Sequence, residues 1–205
     1  MSFLRCAGRK ESIILIMRFF IALEIPAESR RQLEAVQEGI KRIIPYIRPT
    51  NPEKLHLTIA FIGEQSEQMR EQLVEVIKEA VWDIPPFAVT PAYIDGFPSL
   101  HHAHTLWVGV KGDIDKLFVV RERIKDGLIR MGLEVDDRRY IPHIAVGKAG
   151  KLKLLPFQET ELEKITAGRF DSIPVTCIKL FESIPEEGFH RHNTLAEVPL
   201  LSEDI

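Results

Sequence analysis

Two of the seven histidines stand where a hydrophobic strand begins. In LHLTIAFIG (residues 55–63) and PHIAVGK (residues 142–148), His56 and His143 interrupt runs otherwise suited to a core. Residues two apart on a strand share a face. His56 and Thr58 therefore look out on one side with Leu57 and Ile59 opposite, and His143 and Ala145 look out with Ile144 and Val146 opposite. That parity suits strands with a core on one face and a polar site on the other. Either histidine alone would read as a strand-start residue bonded to a carbonyl. Two such segments in one chain point instead to a paired imidazole site. Imidazole titrates near neutrality, so one ring can serve as general base while the other, protonated, serves as general acid.

The elements that must carry these strands follow from periodicity. RFFIALEI reads as a first strand, ended by Pro26. Leu33, Val36, Ile40 and Ile43 recur at helical spacing up to Pro45, and the His56 strand follows. Met69, Leu73, Val76, Ile77 and Val81 form the apolar face of a second helix, with Ser66 as its cap. PFAVTPAYIDGFP and HTLWVGV read as two strands joined through SLHHA, and a third helix runs from near Asp113 to near Gly132. The His143 strand comes next, then a short helix in PFQETELEKITAG and last strands in VTCIKLFES and NTLAEVPL. Strand, helix and His-bearing strand thus recur in the two halves. The expectation is an α+β fold of two similar lobes related by a pseudo-two-fold axis, without a Pro- or Ser-rich linker between them.

Composition narrows the function. A chain of 205 residues that is 45% hydrophobic can bury a sizeable core, and its net charge of −3 argues against binding nucleic acid by bulk electrostatics. Contact with a polyanion has to be local, through a few placed cations. The only cysteines, Cys6 and Cys177, form no disulfide framework, so a reducing cytoplasm is expected. The N-terminal residues offer basic groups and an apolar run, but Arg18 interrupts it and Glu24 follows, so no stretch approaches membrane-spanning length. Residues 1–16 read as an N-terminal extension, with Met17 an alternative start, and residues 17–205 as a single bilobal domain. No P-loop, Gly-rich phosphate loop or nucleophile elbow is present.

FFIALEIP, HLTIAFIGE and PHIAVGK together resemble the two-histidine phosphoesterases, which carry two H-x-T/S strands. More narrowly the chain is similar to the RNA 2′,3′-cyclic phosphodiesterases, historically the 2′-5′ RNA ligase family, from about Arg18 to Pro199. The first motif matches fully. The second departs, because Ala145 stands where the family usually has Thr or Ser. The resemblance implies two pseudo-symmetric antiparallel-sheet lobes with helices outside and a central groove. It also implies metal-independent opening of terminal 2′,3′-cyclic phosphates on RNA or nucleotides to 2′-phosphates, with weak reverse 2′-5′ ligation. His56 and His143 are then the acid–base pair, and the Thr58 hydroxyl donates to a phosphate oxygen. Lys148 matches a position where the family often carries a cation. Strand parity points it away from His143, so Gly147 must bend the strand for Lys148 to reach phosphate. Losing the hydroxyl at 145 costs roughly 1.5–3 kcal/mol where nothing replaces it. Ala145 therefore keeps alive a second reading, an RNA-end binding module with little turnover.

HHAH (His101, His102, His104) and HRH (His190, Arg191, His192) invite a third reading, a metal-dependent hydrolase. No cysteine or nearby carboxylate completes a ligand set, so neither metal nor cofactor is expected. Arg191, in a loop before the last strand, is a candidate substrate contact. Among Phe19, Phe20, Phe61 and Trp107, all on expected strands, Trp107 is the candidate ring for stacking a base. RNA ends or cyclic nucleotides are the expected partners, with no membrane, no obligate protein partner and a monomeric state.

Overall fold

In a computed structural model of the chain, residues 15–136, 138–168, 170–186 and 189–201 are described. The proposed extension, residues 1–16, lies outside them except for Leu15 and Ile16. The elements among the described residues are β1 (Ile16–Glu24), α1 (Ala27–Ile43), β2 (Arg48–Pro49), β3 (His56–Ser66), α2 (Arg70–Val81), β4 (Phe87–Phe97) and β5 (Thr105–Gly112). They continue as α3 (Ile114–Arg130), β6 (His143–Lys148), α4 (Pro156–Thr166), β7 (Ile173–Val175), β8 (Cys177–Glu186) and β9 (Phe189–Pro199). No helix among them is long and apolar enough to cross a membrane.

The strands form one sheet ordered β7-β4-β5-β6-β3-β1-β8-β9, with β2 added to β6. The order is palindromic about its centre, where the two histidine strands meet antiparallel with Leu57 opposite Ile144. One lobe is β3-β1-β8-β9 and the other β6-β5-β4-β7, which realises the expected two-fold pseudo-symmetry. Bulges interrupt the β1–β3, β4–β5, β5–β6 and β8–β9 ladders and curl the sheet.

Helices cover one face only. α2 packs on α3, β8 and β9 behind the first lobe, and α1 packs on α4 and β6 behind the second. Alternation along β1 shows why: Phe19, Ile21 and Leu23 turn to the helices and are buried in the main core. Phe20 and Ala22 turn the other way and form a separate buried cluster with Phe181. The face without helices therefore has an apolar floor of its own, and the histidines project from it.

Ser66 caps as expected, but its hydroxyl accepts the Gln68 N–H of a 3-10 turn, and α2 proper starts at Arg70. β9 begins earlier than periodicity indicated, so His190, Arg191 and His192 are strand residues paired with Pro185, Ile184 and Ser183. The expectation of a loop there is corrected. Alternating histidines on a strand edge lack the apolar alternation by which a strand is recognised.

Candidate active site

The Leu57–Ile144 pair fixes the geometry of the site. On that register Thr58 lies beside His143 and His56 beside Ala145, all on the face without helices. The histidines are then diagonal neighbours, roughly 7–8 Å apart at Cα, as such positions are across a ladder. One phosphate can reach both.

Each ring is anchored in the same way. His56 Nδ1 donates to the carbonyl of Lys54, and His143 Nδ1 donates to that of Ile141, both at 2.7 Å. A carbonyl can only accept, so the neutral tautomer of each ring carries its proton on Nδ1 and leaves Nε2 as the acceptor. Two Nε2 atoms are thereby free for chemistry.

Aromatic clamps hold both imidazoles. His56 packs against Phe20, 5.0 Å between ring centroids, and edge-on against His192 at 5.2 Å. His143 packs edge-on against Phe97 at 4.9 Å and tilted against Trp107 at 5.5 Å. Burial lowers the pKa of both catalytic candidates. The Nδ1 bonds oppose the shift, and the charge of His143 lowers His56 further. Burial and the charges of His56, Lys54 and His190 push His192 down to about 4. His192 is thus a third imidazole of the site. A longer reading of β9 would have found it, because His190 and His192 fall on one strand face.

Of the remaining expected residues, Thr58 is buried in the site, and its carbonyl accepts the Tyr140 hydroxyl at 3.0 Å. Ala145 is half-buried opposite Trp107. Trp107 is only 3% exposed, so it offers no open face to a base and serves instead as floor under His143. The exposed rings on this face are Phe61 (66%), next to Phe20, and Tyr93 (45%), edge-on to Trp107. Gly109, across from Tyr93, makes room for that ring: a Cβ there would come within 2.3 Å of Tyr93 Cζ. Arg191 does not join the site. It pairs with Glu186 and Asn193, one residue out of phase with His192.

Lys148 does come round to the site face. On β6, Ala145 pairs with Trp107, Gly147 with Leu106 and Lys148 with Thr105, so Val146 is an extra residue that inverts strand parity. Gln37, buried on α1, holds the bulge. Its amide nitrogen donates to the carbonyls of Val146 and Thr50, both at 2.7 Å. Gly147 lets β2 approach, since a Cβ would fall 2.8 Å from Ile47 Cδ1.

The other histidines are engaged elsewhere. His101 pairs with Glu159 at 2.7 Å and His104 bonds the Gly150 carbonyl. No group of three metal-ligating side chains converges among the described residues.

Two imidazoles lie diagonal across the central ladder of a curled α+β sheet, which has the fold of the two-histidine phosphoesterases. The family model for LigT-like phosphoesterases matches residues 23–107, which include β3 and its histidine. Over that stretch the chain is similar to this family. It is 27% identical over 167 residues, 82% of this chain and 91% of the other, to a Methanocaldococcus jannaschii protein named RNA 2′,3′-cyclic phosphodiesterase. It is 25% identical over 83% of its length, and 96% of the relative's, to an Aeropyrum pernix protein of the same name. Among solved structures, Escherichia coli LigT complexed with 3′-AMP superposes with a TM-score of 0.75 at 23% identity, covering 92% of this chain and 100% of that one. A Thermus thermophilus structure superposes at 0.72 with 20% identity, covering 91% and 100%.

Proposed function

We propose that the protein hydrolyses terminal 2′,3′-cyclic phosphates of RNA or nucleotides to 2′-phosphates, with His56 and His143 as the acid–base pair and no metal. The matched Nδ1 anchors carry this reading, because they leave two Nε2 atoms on one face for a single phosphate. The names of the relatives support the substrate class. In the reaction a neutral imidazole takes a proton from water as the water oxygen bonds to phosphorus. The opposite, protonated imidazole gives its proton to the 3′ oxygen as the P–O3′ bond breaks. With a 5′ hydroxyl in place of water as the nucleophile, the same pair joins RNA ends weakly through a 2′-5′ bond, again expelling the 3′ oxygen.

Surroundings distinguish the two rings. His56 has His192 against it and feels the charge of His143, whereas Phe97 and Trp107 flank His143. A proton is therefore more costly on His56, which makes His56 the base and His143 the acid in hydrolysis. Thr58 donates to a non-bridging oxygen, and Lys148 adds positive potential from its row of the same face. A base splayed from the RNA end stacks on Phe61 or Tyr93, the open rings bordering the groove.

The test is turnover of a 2′,3′-cyclic nucleotide by wild type, His56→Ala and His143→Ala in EDTA, with the product resolved as 2′- or 3′-phosphate. Wild type should yield 2′-phosphate, and each variant should lose roughly 10²–10⁴-fold. With a p-nitrophenyl phosphodiester, whose leaving group needs no proton, His143→Ala should recover most activity and His56→Ala none. Absence of turnover by wild type, with cyclic-phosphate RNA bound equally by wild type and His143→Ala, would replace the enzyme with the RNA-end binding module. Activity lost only to chelator would revive the metal reading.

A further inference from the structure

Beyond the two histidines the site face carries a row of positive charge in which Lys148 is joined by a second cation, Arg48. Arg48 on β2 stands directly opposite Lys148 on β6, and Lys148 stands opposite Thr105, which in turn faces Phe97. Phe97 touches the His143 ring, so this row lies on the site face, one step beyond the catalytic row. Like charges placed directly opposite each other on neighbouring strands are destabilising. Several arginines elsewhere meet a carboxylate, among them Arg18, Arg30, Arg123, Arg130, Arg138 and Arg191. Arg48 and Lys148 are both exposed and make no side-chain bond or ion pair among the described residues.

The pair is also built. Without the Val146 bulge Lys148 would turn to the helix face, and the bulge is held by the buried Gln37 amide. Without Gly147 the short strand β2 could not lie close enough to set Arg48 opposite Lys148. Thr50, just after β2, is tied to β6 through its N–H to the Val146 carbonyl at 3.0 Å and to Gln37 through its own carbonyl.

Resting on the phosphodiesterase reading above, we infer that Arg48 and Lys148 form a binding subsite for a backbone phosphodiester of RNA upstream of the terminal cyclic phosphate, so that the substrate is an oligoribonucleotide end rather than a mononucleotide. At 3.2–3.4 Å of rise per residue, the row lies roughly 13–16 Å along β6 from His143, within the span of one or two nucleotides once the long side chains lean toward the site. A phosphate between the two cations relieves their repulsion and accepts charge-assisted hydrogen bonds from both. In a chain of net charge −3, such a local pair is the means by which an RNA backbone is held without a basic surface.

The experiment compares kcat/KM for a 2′,3′-cyclic mononucleotide and for a hexaribonucleotide ending in a 2′,3′-cyclic phosphate. It uses wild type, Arg48→Gln and the charge-retaining Arg48→Lys. Wild type should prefer the hexamer by about tenfold or more. Arg48→Gln should cut that preference about three- to tenfold and lower the slope of log KM against log salt by about one, while Arg48→Lys keeps most of both. No preference in wild type, or an equal loss on both substrates in Arg48→Gln, would overturn the subsite while leaving the phosphodiesterase reading intact. If wild type turns over neither substrate, that reading fails. The subsite is then judged by affinity for a fluorescent hexaribonucleotide ending in a 2′-phosphate across the same salt series. A weaker Kd and a shallower slope in Arg48→Gln would uphold it, and an unchanged Kd and slope would overturn it.

Discussion

At the scale of residues, the three imidazoles make the site sensitive to acid. His56, His143 and His192 all have pKa values below the ordinary 6.5, with His192 at about 4. On the mechanism proposed, catalysis needs one proton shared between His56 and His143, and lowered values release that last proton early. kcat/KM should therefore peak below pH 6.5 and decline as pH rises through it, which a pH–rate profile of the free enzyme checks. Stability has the opposite sign. The unfolded chain takes up protons before the folded one does, so stability is full above about 6.5 and is lost as pH falls toward 4. The melting temperature should drop across this window, and His192→Phe should drop less. Ala145 gives a second residue-scale prediction. The indole N–H of Trp107, its cross-strand partner, is buried without an acceptor among the described residues. A hydroxyl at 145 can accept that N–H and donate to phosphate, so Ala145→Thr should raise kcat about tenfold, corresponding to ~1.5 kcal/mol. A kcat unchanged or lowered in a stopped assay would show that the site is already complete without it.

At the scale of elements, the decisive feature is the bulge in β6. Gln37 is one of few buried polar side chains, and two carbonyls accept from its single amide nitrogen. Gln37→Leu takes the Gln37 donor from the Thr50 carbonyl and leaves the Val146 carbonyl only the Thr50 N–H, and should cost about 1–3 kcal/mol. It should also release the register that points Lys148 to the site. The check is urea unfolding together with KM for cyclic-phosphate RNA. Lost stability with unchanged KM would separate the bulge from substrate binding. That the strand must bend before Lys148 was legible from parity in the sequence, but the bend falls at Val146 and not at Gly147 as expected. The agent that bends it was not, because Gln37 is 109 residues from Val146 and nothing in α1's periodicity marks a polar residue that turns inward.

At the scale of the whole molecule, the lobes meet along a narrow seam in the sheet but exchange helices across it. α1 follows β1 of the first lobe yet packs on β6 of the second, and α3 follows β5 of the second yet packs on β3 and α2 of the first. Neither lobe can bury its sheet without a helix supplied by the other, so we propose that residues 17–205 unfold as one unit. Leu57→Ala, at the seam and fully buried, should cost about 2–5 kcal/mol and shift both lobes together. Trp82, just after α2, and Trp107, in β5, report one lobe each when the other is replaced by Phe. Urea midpoints that separate would overturn the single unit.

By itself the sequence determined the elements, the two-lobed order and the histidine pair, because strand parity and helical spacing are local and survive in one dimension. The identity of Thr58 and the gap at Ala145 were equally plain, since each lies two residues from its histidine. Only the tertiary structure decided which cations and rings belong to the site. Arg191 fell away and His192 entered because one residue's difference in phase on β9 reverses the face. Trp107 became floor, leaving Phe61 and Tyr93 open, because burial depends on what packs above a strand. Arg48 met Lys148 because two distant segments pair across β6, a contact that no spacing in the chain encodes.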